Sequence, residues 1–267
     1  MKVAIIGGGN MGLTYARSFL HYKLVDTEHL LIVEKNIDRA HSLQYNDKYV
    51  TATELNGKLT EADVVILAVK PQDFTVLSQQ LKPFLRTEQL IISIMAGISL
   101  ARLDELLAHH SIIRAMPNTP AQIGMGVTVF TASEKADLNL VKKADKLLST
   151  TGTAIFIEDE KLMDAVTAVS GSGPAYFYYF VKHMIEAALK LGMDEAMAHL
   201  LVKQTMLGAY HVMNSSEKSL DELIASVKSK GGTTEAALNV FSANALGETV
   251  ESAIIAAENR AKELSKG

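Results

Sequence analysis

The chain has no cysteine. Without thiols it can form no disulfide framework and no thiolate metal site, so stability has to come from packing and, where one chain packs too little, from a partner subunit. It also lacks any run of about 18 consecutive apolar residues, the length a membrane-crossing helix requires, and its opening residues show no basic segment leading into a long apolar one. A soluble, unprocessed, cytoplasmic protein with no membrane partner is the expectation. An excess of one charge is missing as well: with a formal net charge of -4, nothing draws the chain toward nucleic acid or an anionic surface. That leaves a small molecule as the favoured partner. There is no internal repeat and no low-complexity segment.

What is present is a chain of 267 residues with 48% hydrophobic composition, enough to bury a core and long enough for two modest domains. In the first half, short β-rich runs alternate with helical periodicity: Lys2 to Ile6, Leu30 to Glu34, Val64 to Val69, Leu90 to Ile94 and Ile112 to Ala115. Runs that are apolar along their whole length suit parallel strands covered on both faces. After Ile157 the β-branched runs give way to stretches rich in Ala, Leu, Met, Glu and Lys with apolar spacing of three and four. These predict helices near Glu160 to Ala168, Gly173 to Leu191, Asp194 to Met213, Ser219 to Val227, Gly232 to Ser242 and Leu246 to Leu264. The acidic segment Glu158, Asp159, Glu160 reads as an exposed linker. The predicted fold is therefore α/β, an N-terminal doubly wound, Rossmann-type parallel sheet over residues 1–157 followed by an all-helical C-terminal domain over residues 158–267.

Gly7-Gly8-Gly9-Asn10-Met11-Gly12 follows a Val/Ile strand and opens a helical pattern, the context that gives G-x-G-x-x-G its meaning as a dinucleotide turn. Gly7 permits the tight turn, Gly9 lets a pyrophosphate approach the backbone and Gly12 lets helix and strand pack closely. The pyrophosphate then rests on the helix N-terminus, where free N–H groups and the dipole favour an anion. Glu34 ends the next strand, where an acid can accept hydrogen bonds from the adenosine ribose; it favours NAD, whereas Lys35 and the nearby Arg39 would suit the extra phosphate of NADP. NADH and NADPH both stay open.

Four further segments go beyond a generic dinucleotide fold: Ala68-Val69-Lys70-Pro71-Gln72, Met116-Pro117-Asn118-Thr119-Pro120, Ser170-Gly171-Ser172-Gly173-Pro174-Ala175-Tyr176 and Gly231-Gly232-Thr233-Thr234. The first lies at the carboxyl end of a predicted parallel strand, the edge where open α/β sheets bind ligands. In the second, two prolines stiffen a polar loop. The third is a helix start, with Pro174 near the first position. The fourth opens another helix, with hydroxyls and N–H groups able to meet a carboxylate.

Together with the glycine turn, and in this order along essentially the whole chain, these segments resemble the pyrroline-5-carboxylate reductases. The resemblance implies hydride transfer from NADPH or NADH to 1-pyrroline-5-carboxylate, giving L-proline in the last step of proline biosynthesis. It implies cofactor contacts from Ile6, Gly7, Gly9, Asn10, Met11, Gly12, Glu34, Lys35, Asn36, Ala68, Val69, Lys70, Pro71, Ala96 and Asn118. For the substrate it implies Glu160, Ser170, Val227, Gly231, Gly232, Thr233 and Thr234, with Thr234 also placed to bond the ring nitrogen and so the catalytic candidate. It implies too that the helical half pairs with a second copy, in a homodimer or higher homo-oligomer. The chain departs from the family at Lys230, where a proline usually precedes the two glycines; the departure is expected to loosen the turn and add a cation.

The eight histidines show no metal-ligand spacing such as H-E-x-x-H, and no metal is expected. Lys182 lies on the long helix where related 3-hydroxyacid dehydrogenases carry a catalytic lysine, so dehydrogenation of another small acid is an alternative. A non-catalytic dinucleotide-binding paralogue, suggested by Lys230, is another.

Overall fold

The structure, a computed structural model, describes residues 1–265. Its centre is an eight-stranded sheet in the order β3-β2-β1-β4-β5-β6-β7-β8. The strands are β1 (Val3–Ile6), β2 (Leu30–Val33), β3 (Val50–Ala52), β4 (Val64–Leu67), β5 (Leu90–Ser93), β6 (Ile112–Met116), β7 (Gly126–Ala132) and β8 (Gly152–Phe156). From β3 to β6 every pairing is parallel; β7 runs antiparallel to β6, and β8 parallel to β7. The apolar runs in the sequence become β1, β2, β4, β5 and β6.

Strands β3, β7 and β8 carry a weaker signal. β3 is short and only partly buried, and β8 is mostly exposed. β7 hides its interior behind threonines: Thr128 and Thr131 are both 1% exposed, and the Thr128 hydroxyl is satisfied by the Tyr15 hydroxyl at 3.0 Å. A threonine that finds a buried partner behaves as core although its polarity argues for a surface.

Alternation along the strands sorts the core into two layers. Val3 and Ile5 of β1 and Val64 and Ile66 of β4 join one cluster, with Phe19 from α1 (Asn10–His21), Leu43 from α2 (Ile37–Asn46) and Leu147 from α5 (Leu138–Leu148). Ala4, Ile6, Val65 and Leu67 point the other way, to Phe74 from α3 (Phe74–Leu81) and Leu103 from α4 (Leu100–Leu107). Period-two side chains with helices on both faces make the doubly wound sheet expected from the sequence.

The helix predicted near Glu160 to Ala168 is irregular. A 3-10 turn Glu160–Leu162 leads into α6 (Met163–Val166), which ends in a π-helical turn Thr167–Gly171. Residues up to Ser172 and residues 257–265 form one compact unit, and residues 173–256 form a second. The shift in composition after Ile157 marks where strands stop. The compact units divide later, because α6 and its flanking turns pack with the sheet.

The second unit is helical: α7 (Gly173–Lys190), α8 (Glu195–Ser215), α9 (Leu220–Val227), α10 (Thr233–Ala243) and the start of α11 (Leu246–Leu264). Asp194 caps α8 by accepting from the Met197 N–H, and Ser219 with Glu222 forms a capping box on α9. Its buried cluster consists only of Ile185, Ala188, Ala198 and Val202. α9 and α10 bury no residue, while Phe177, Phe180, Leu200, Met206 and Phe241 are exposed.

Candidate functional site

The residues singled out for a dinucleotide converge on one edge of the sheet. Ile6, Val33 and Leu67 stand in register on β2-β1-β4, and Leu67 is level with Ser93 of β5. The chain leaves that level through the glycine turn after β1, Glu34-Lys35-Asn36 after β2, Ala68 to Pro71 after β4 and Ala96 after β5, and Asn118 follows β6. All are carboxyl ends of parallel strands, and the order reverses between β1 and β4. This is the switch point where open α/β sheets take ligands.

The turn depends on its glycines. Gly7 has φ +109°, and a Cβ there would lie 2.6 Å from the Ala68 carbonyl oxygen; a Cβ on Gly12 would collide with the Gly7 carbonyl. Gly9 differs, since a Cβ would meet nothing within 4 Å. It is the N-cap of α1; among the described residues no side chain caps the helix, and the first turn holds no acid. The leading N–H groups of α1 thus border open space with no side chain answering them, the provision a pyrophosphate requires. Beside the turn is a cleft of about 750 Å³, lined by Gly7, Gly9, Glu34, Lys35, Ala68 and Val69 among others. The residues present fit a nicotinamide dinucleotide.

Glu34 does more than end a strand. Its Oε2 accepts the Gly8 N–H at 3.1 Å, its Oε1 accepts the Asn36 N–H at 2.9 Å, and Arg39 Nε is 3.8 Å away. The carboxylate ties the glycine turn to the end of β2. Asn36 caps α2 by accepting from the Arg39 N–H. Lys70 precedes the 3-10 turn Pro71–Asp73 and is exposed.

At the far end of this edge, the Asn118 side chain accepts the Val127 N–H at 3.0 Å and donates to the Ser170 carbonyl at 3.2 Å. It thereby joins the proline-bounded loop to the π-helical turn. The Ser170 hydroxyl donates to the Val166 carbonyl at 3.0 Å.

Glu160 is no solvated linker acid, as its acidic neighbourhood suggested. Its Oε1 accepts from Arg114 Nη1 at 2.9 Å and from the Leu100 N–H at the start of α4 at 2.8 Å. Arg114 Nη2 also reaches Asp164 Oδ1 at 3.3 Å. Arg114 escaped the sequence reading; the available signal was a charged residue inside the apolar run Ile112–Met116, since a buried arginine requires partners.

In the second unit, Val227 ends α9 and is exposed, Gly231 adopts φ +74°, Gly232 is the N-cap of α10, and Thr233 and Thr234 are its first residues. Among the described residues, no side chain caps this helix. Among the described residues, neither threonine hydroxyl has a hydrogen-bond partner, so both are available to an anion. In the turn before them, where lysine stands in place of proline at 230, Glu235 Oε2 accepts the Gly231 N–H at 2.7 Å, and Lys228 Nζ lies 3.8 Å from its Oε1. Lys182 is largely exposed, 3.6 Å from Glu186. Among the described residues, no group of three or more His, Asp or Glu could hold a metal, and no helix is long and apolar enough to cross a membrane.

Comparison with known proteins agrees with this layout at both ends of the chain. The family model described as pyrroline-5-carboxylate reductase dimerisation matches residues 160–264, and that described as NADP oxidoreductase, coenzyme F420-dependent, matches residues 2–97. The chain is similar to the pyrroline-5-carboxylate reductase of Pseudomonas aeruginosa, 38% identical over 99% of this chain and 97% of that protein. The corresponding protein of Haemophilus influenzae is also 38% identical, over 98% and 97%. Among solved structures, the pyrroline-5-carboxylate reductase of Coxiella burnetii has a TM-score of 0.88 at 34% identity, with 100% of this chain and 99% of that one covered. The Plasmodium falciparum pyrroline carboxylate reductase with NADP bound has a TM-score of 0.89 at 27% identity, covering 99% and 98%.

Proposed function

Because the chain belongs to the pyrroline-5-carboxylate reductase family, we propose that it reduces 1-pyrroline-5-carboxylate to L-proline with NADH or NADPH, the final step of proline biosynthesis. The observation that carries this reading is the uncapped N-terminus of α1 beside the cleft at the switch point of the sheet, in a chain whose likeness to these reductases runs from end to end. When bound, the reduced nicotinamide supplies the hydride. The imine carbon accepts that hydride and the ring nitrogen holds a proton, so C=N becomes CH–NH.

A protonated imine is already a good electrophile, and the protein's task is chiefly to orient the reactants, an effect able to supply roughly 7 to 11 kcal/mol of barrier lowering. The N–H groups of the α1 start hold the pyrophosphate, with Ile6, Gly7, Gly9, Asn10, Met11 and Gly12 around it. Glu34, Lys35 and Asn36 take the adenosine end. Ala68 to Pro71, Ala96 and Asn118 border the nicotinamide half. The start of α10 receives the substrate carboxylate through Gly231, Gly232 and Thr233, with Val227 and Ser170 shaping the substrate's surroundings. Thr234 bonds the ring nitrogen. Glu160 takes a positioning part in this scheme, because its Oε1 is already shared by Arg114 and Leu100.

Residues 1–157 then serve the dinucleotide, and residues 158–267 serve substrate binding and dimerisation. The exposed apolar side chains of α7, α8 and α10 are covered by a second copy, in a homodimer or larger homo-oligomer working in the cytoplasm.

The test is the loss of reduced-nicotinamide absorbance on adding pyrroline-5-carboxylate, with proline identified as the product. Removing one hydrogen bond to a charged group costs about 1.5 to 3 kcal/mol, or roughly 13- to 150-fold. Thr234→Ala is expected to lower kcat/KM by such a factor while NADH affinity is kept. Absence of turnover in a protein that binds NADH would overturn the activity, and full activity of Thr234→Ala would remove that residue from the scheme.

A further inference from the structure

The two nicotinamide coenzymes differ only in the 2′-phosphate on the adenosine ribose, and in this fold the ribose is received at the end of the second strand. Three acids line the cleft there, Glu34, Glu54 and Asp73, against Lys35 and Lys70. Glu34 is committed, because each of its oxygens accepts a backbone N–H, from Gly8 and from Asn36. Turning it away from a phosphate would release the glycine turn.

Of the two cations near the end of β2, Arg39 lies 3.8 Å from the Glu34 carboxylate, whereas Lys35 lines the cleft and is the one able to welcome that phosphate, and it is engaged. Its Nζ lies 3.2 Å from Asp73 Oδ2, an ion pair linking the chain after β2 to the 3-10 turn after β4. Both partners line the cleft. A 2′-phosphate, carrying close to two negative charges at neutral pH, would have to displace the Asp73 carboxylate or accept it as a neighbour. Ribose hydroxyls meet no such repulsion, since they can donate to a carboxylate.

We propose that Asp73 is a specificity-determining residue, holding Lys35 away from a 2′-phosphate and biasing the cleft toward NADH. The inference rests on the dinucleotide reading above and goes beyond it by assigning the preference and the residue that sets it. Charges a few ångströms apart in a solvent-exposed site interact weakly enough that removing one is expected to change affinity about fivefold. The effect should shrink as salt is raised, because these groups lie within reach of mobile ions.

The experiment is calorimetric titration of the full chain with NADH and with NADPH, with no substrate present. The wild type is expected to bind NADH more tightly. Asp73→Asn should strengthen NADPH binding about fivefold while NADH binding stays within about twofold, and adding Lys35→Ala should abolish the gain. Tighter binding of NADPH than NADH by the wild type would overturn the inference, as would an equal shift for both coenzymes in Asp73→Asn. Failure of the wild type to bind either coenzyme would overturn the dinucleotide reading itself, a result distinct from the other two.

Discussion

Arg114 Nη1 lies 2.9 Å from Glu160 Oε1, with the arginine side chain only 5% exposed and the glutamate 29%. The guanidinium gathers separate stretches of chain. Glu160 also accepts the first N–H of α4, and Asp164, its second carboxylate partner, accepts the Ser265 hydroxyl at 3.0 Å. One buried cation thus ties β6, the start of α4, the turns around α6 and the end of the described chain.

Arg114→Leu is therefore expected to destabilise the protein by about 3 to 5 kcal/mol, because two partly buried carboxylates lose their counter-charge. Urea unfolding followed by circular dichroism measures this. A loss below about 0.5 kcal/mol, the range of ordinary surface changes, would mean that the ion pairs contribute nothing net.

Gly9 and Gly12 separate ligand binding from folding. A methyl at Gly9 meets no protein atom, whereas one at Gly12 strikes the Gly7 carbonyl. Gly9→Ala should leave the melting temperature almost unchanged and weaken NADH binding at least tenfold, since the methyl occupies the space over the α1 N-terminus. Gly12→Ala should lower both. Unchanged NADH binding by Gly9→Ala would mean that the pyrophosphate lies elsewhere.

Much of this edge was legible in the sequence because its turns rest on residues with local requirements: glycine at a positive φ, proline at the head of a short turn, an acid ending a strand. The core strands were legible too, since apolar residues on both faces leave few alternatives to a buried parallel sheet. β7 was not, because Thr128 and Thr131 read as polar until a partner such as Tyr15 is known. Glu160 looked solvated for the same reason: its partner Arg114 is 46 residues away along the chain. Pairings at long separation leave no periodic trace, and the Lys35–Asp73 contact across the cleft is another of them.

His109 is expected to make the fold sensitive to pH. It is buried, with Nε2 2.7 Å from the Gln89 carbonyl, and burial pushes its pKa down, only partly opposed by that hydrogen bond. In the unfolded chain the imidazole titrates near its ordinary value of about 6.5. Below that pH the unfolded state holds more protons than the folded one, so stability falls as pH drops from about 6.5 toward the depressed folded value, and is insensitive to this group above it. Melting temperatures between pH 5 and 8 should show that slope in the wild type and a shallower one in His109→Gln. Equal slopes would assign the dependence to other groups.

The helical unit has a buried cluster of four residues, too little to offset the conformational entropy of ordering its helices. Its folding is expected to be linked to association, so the melting temperature should rise with protein concentration over a hundredfold range. A melting temperature independent of concentration, with sedimentation giving the mass of one chain, would contradict the dimer.

The return of the last helix to the first unit, from Ala257 onward, has a consequence for how the chain is made. Leu264 packs where a side chain at Gly97 would stand, and Ser265 bonds Asp164, so the sheet unit lacks its final pieces until all of residues 173–256 have been synthesised. At ribosomal rates of about 5 to 20 residues per second, Gly97 and Asp164 wait roughly 5 to 30 seconds for their partners on a nascent chain. The residues that line the cleft beside the glycine turn lie between Ile6 and Phe84, so the part of the site that receives the adenosine end is made long before the contacts that close the sheet unit.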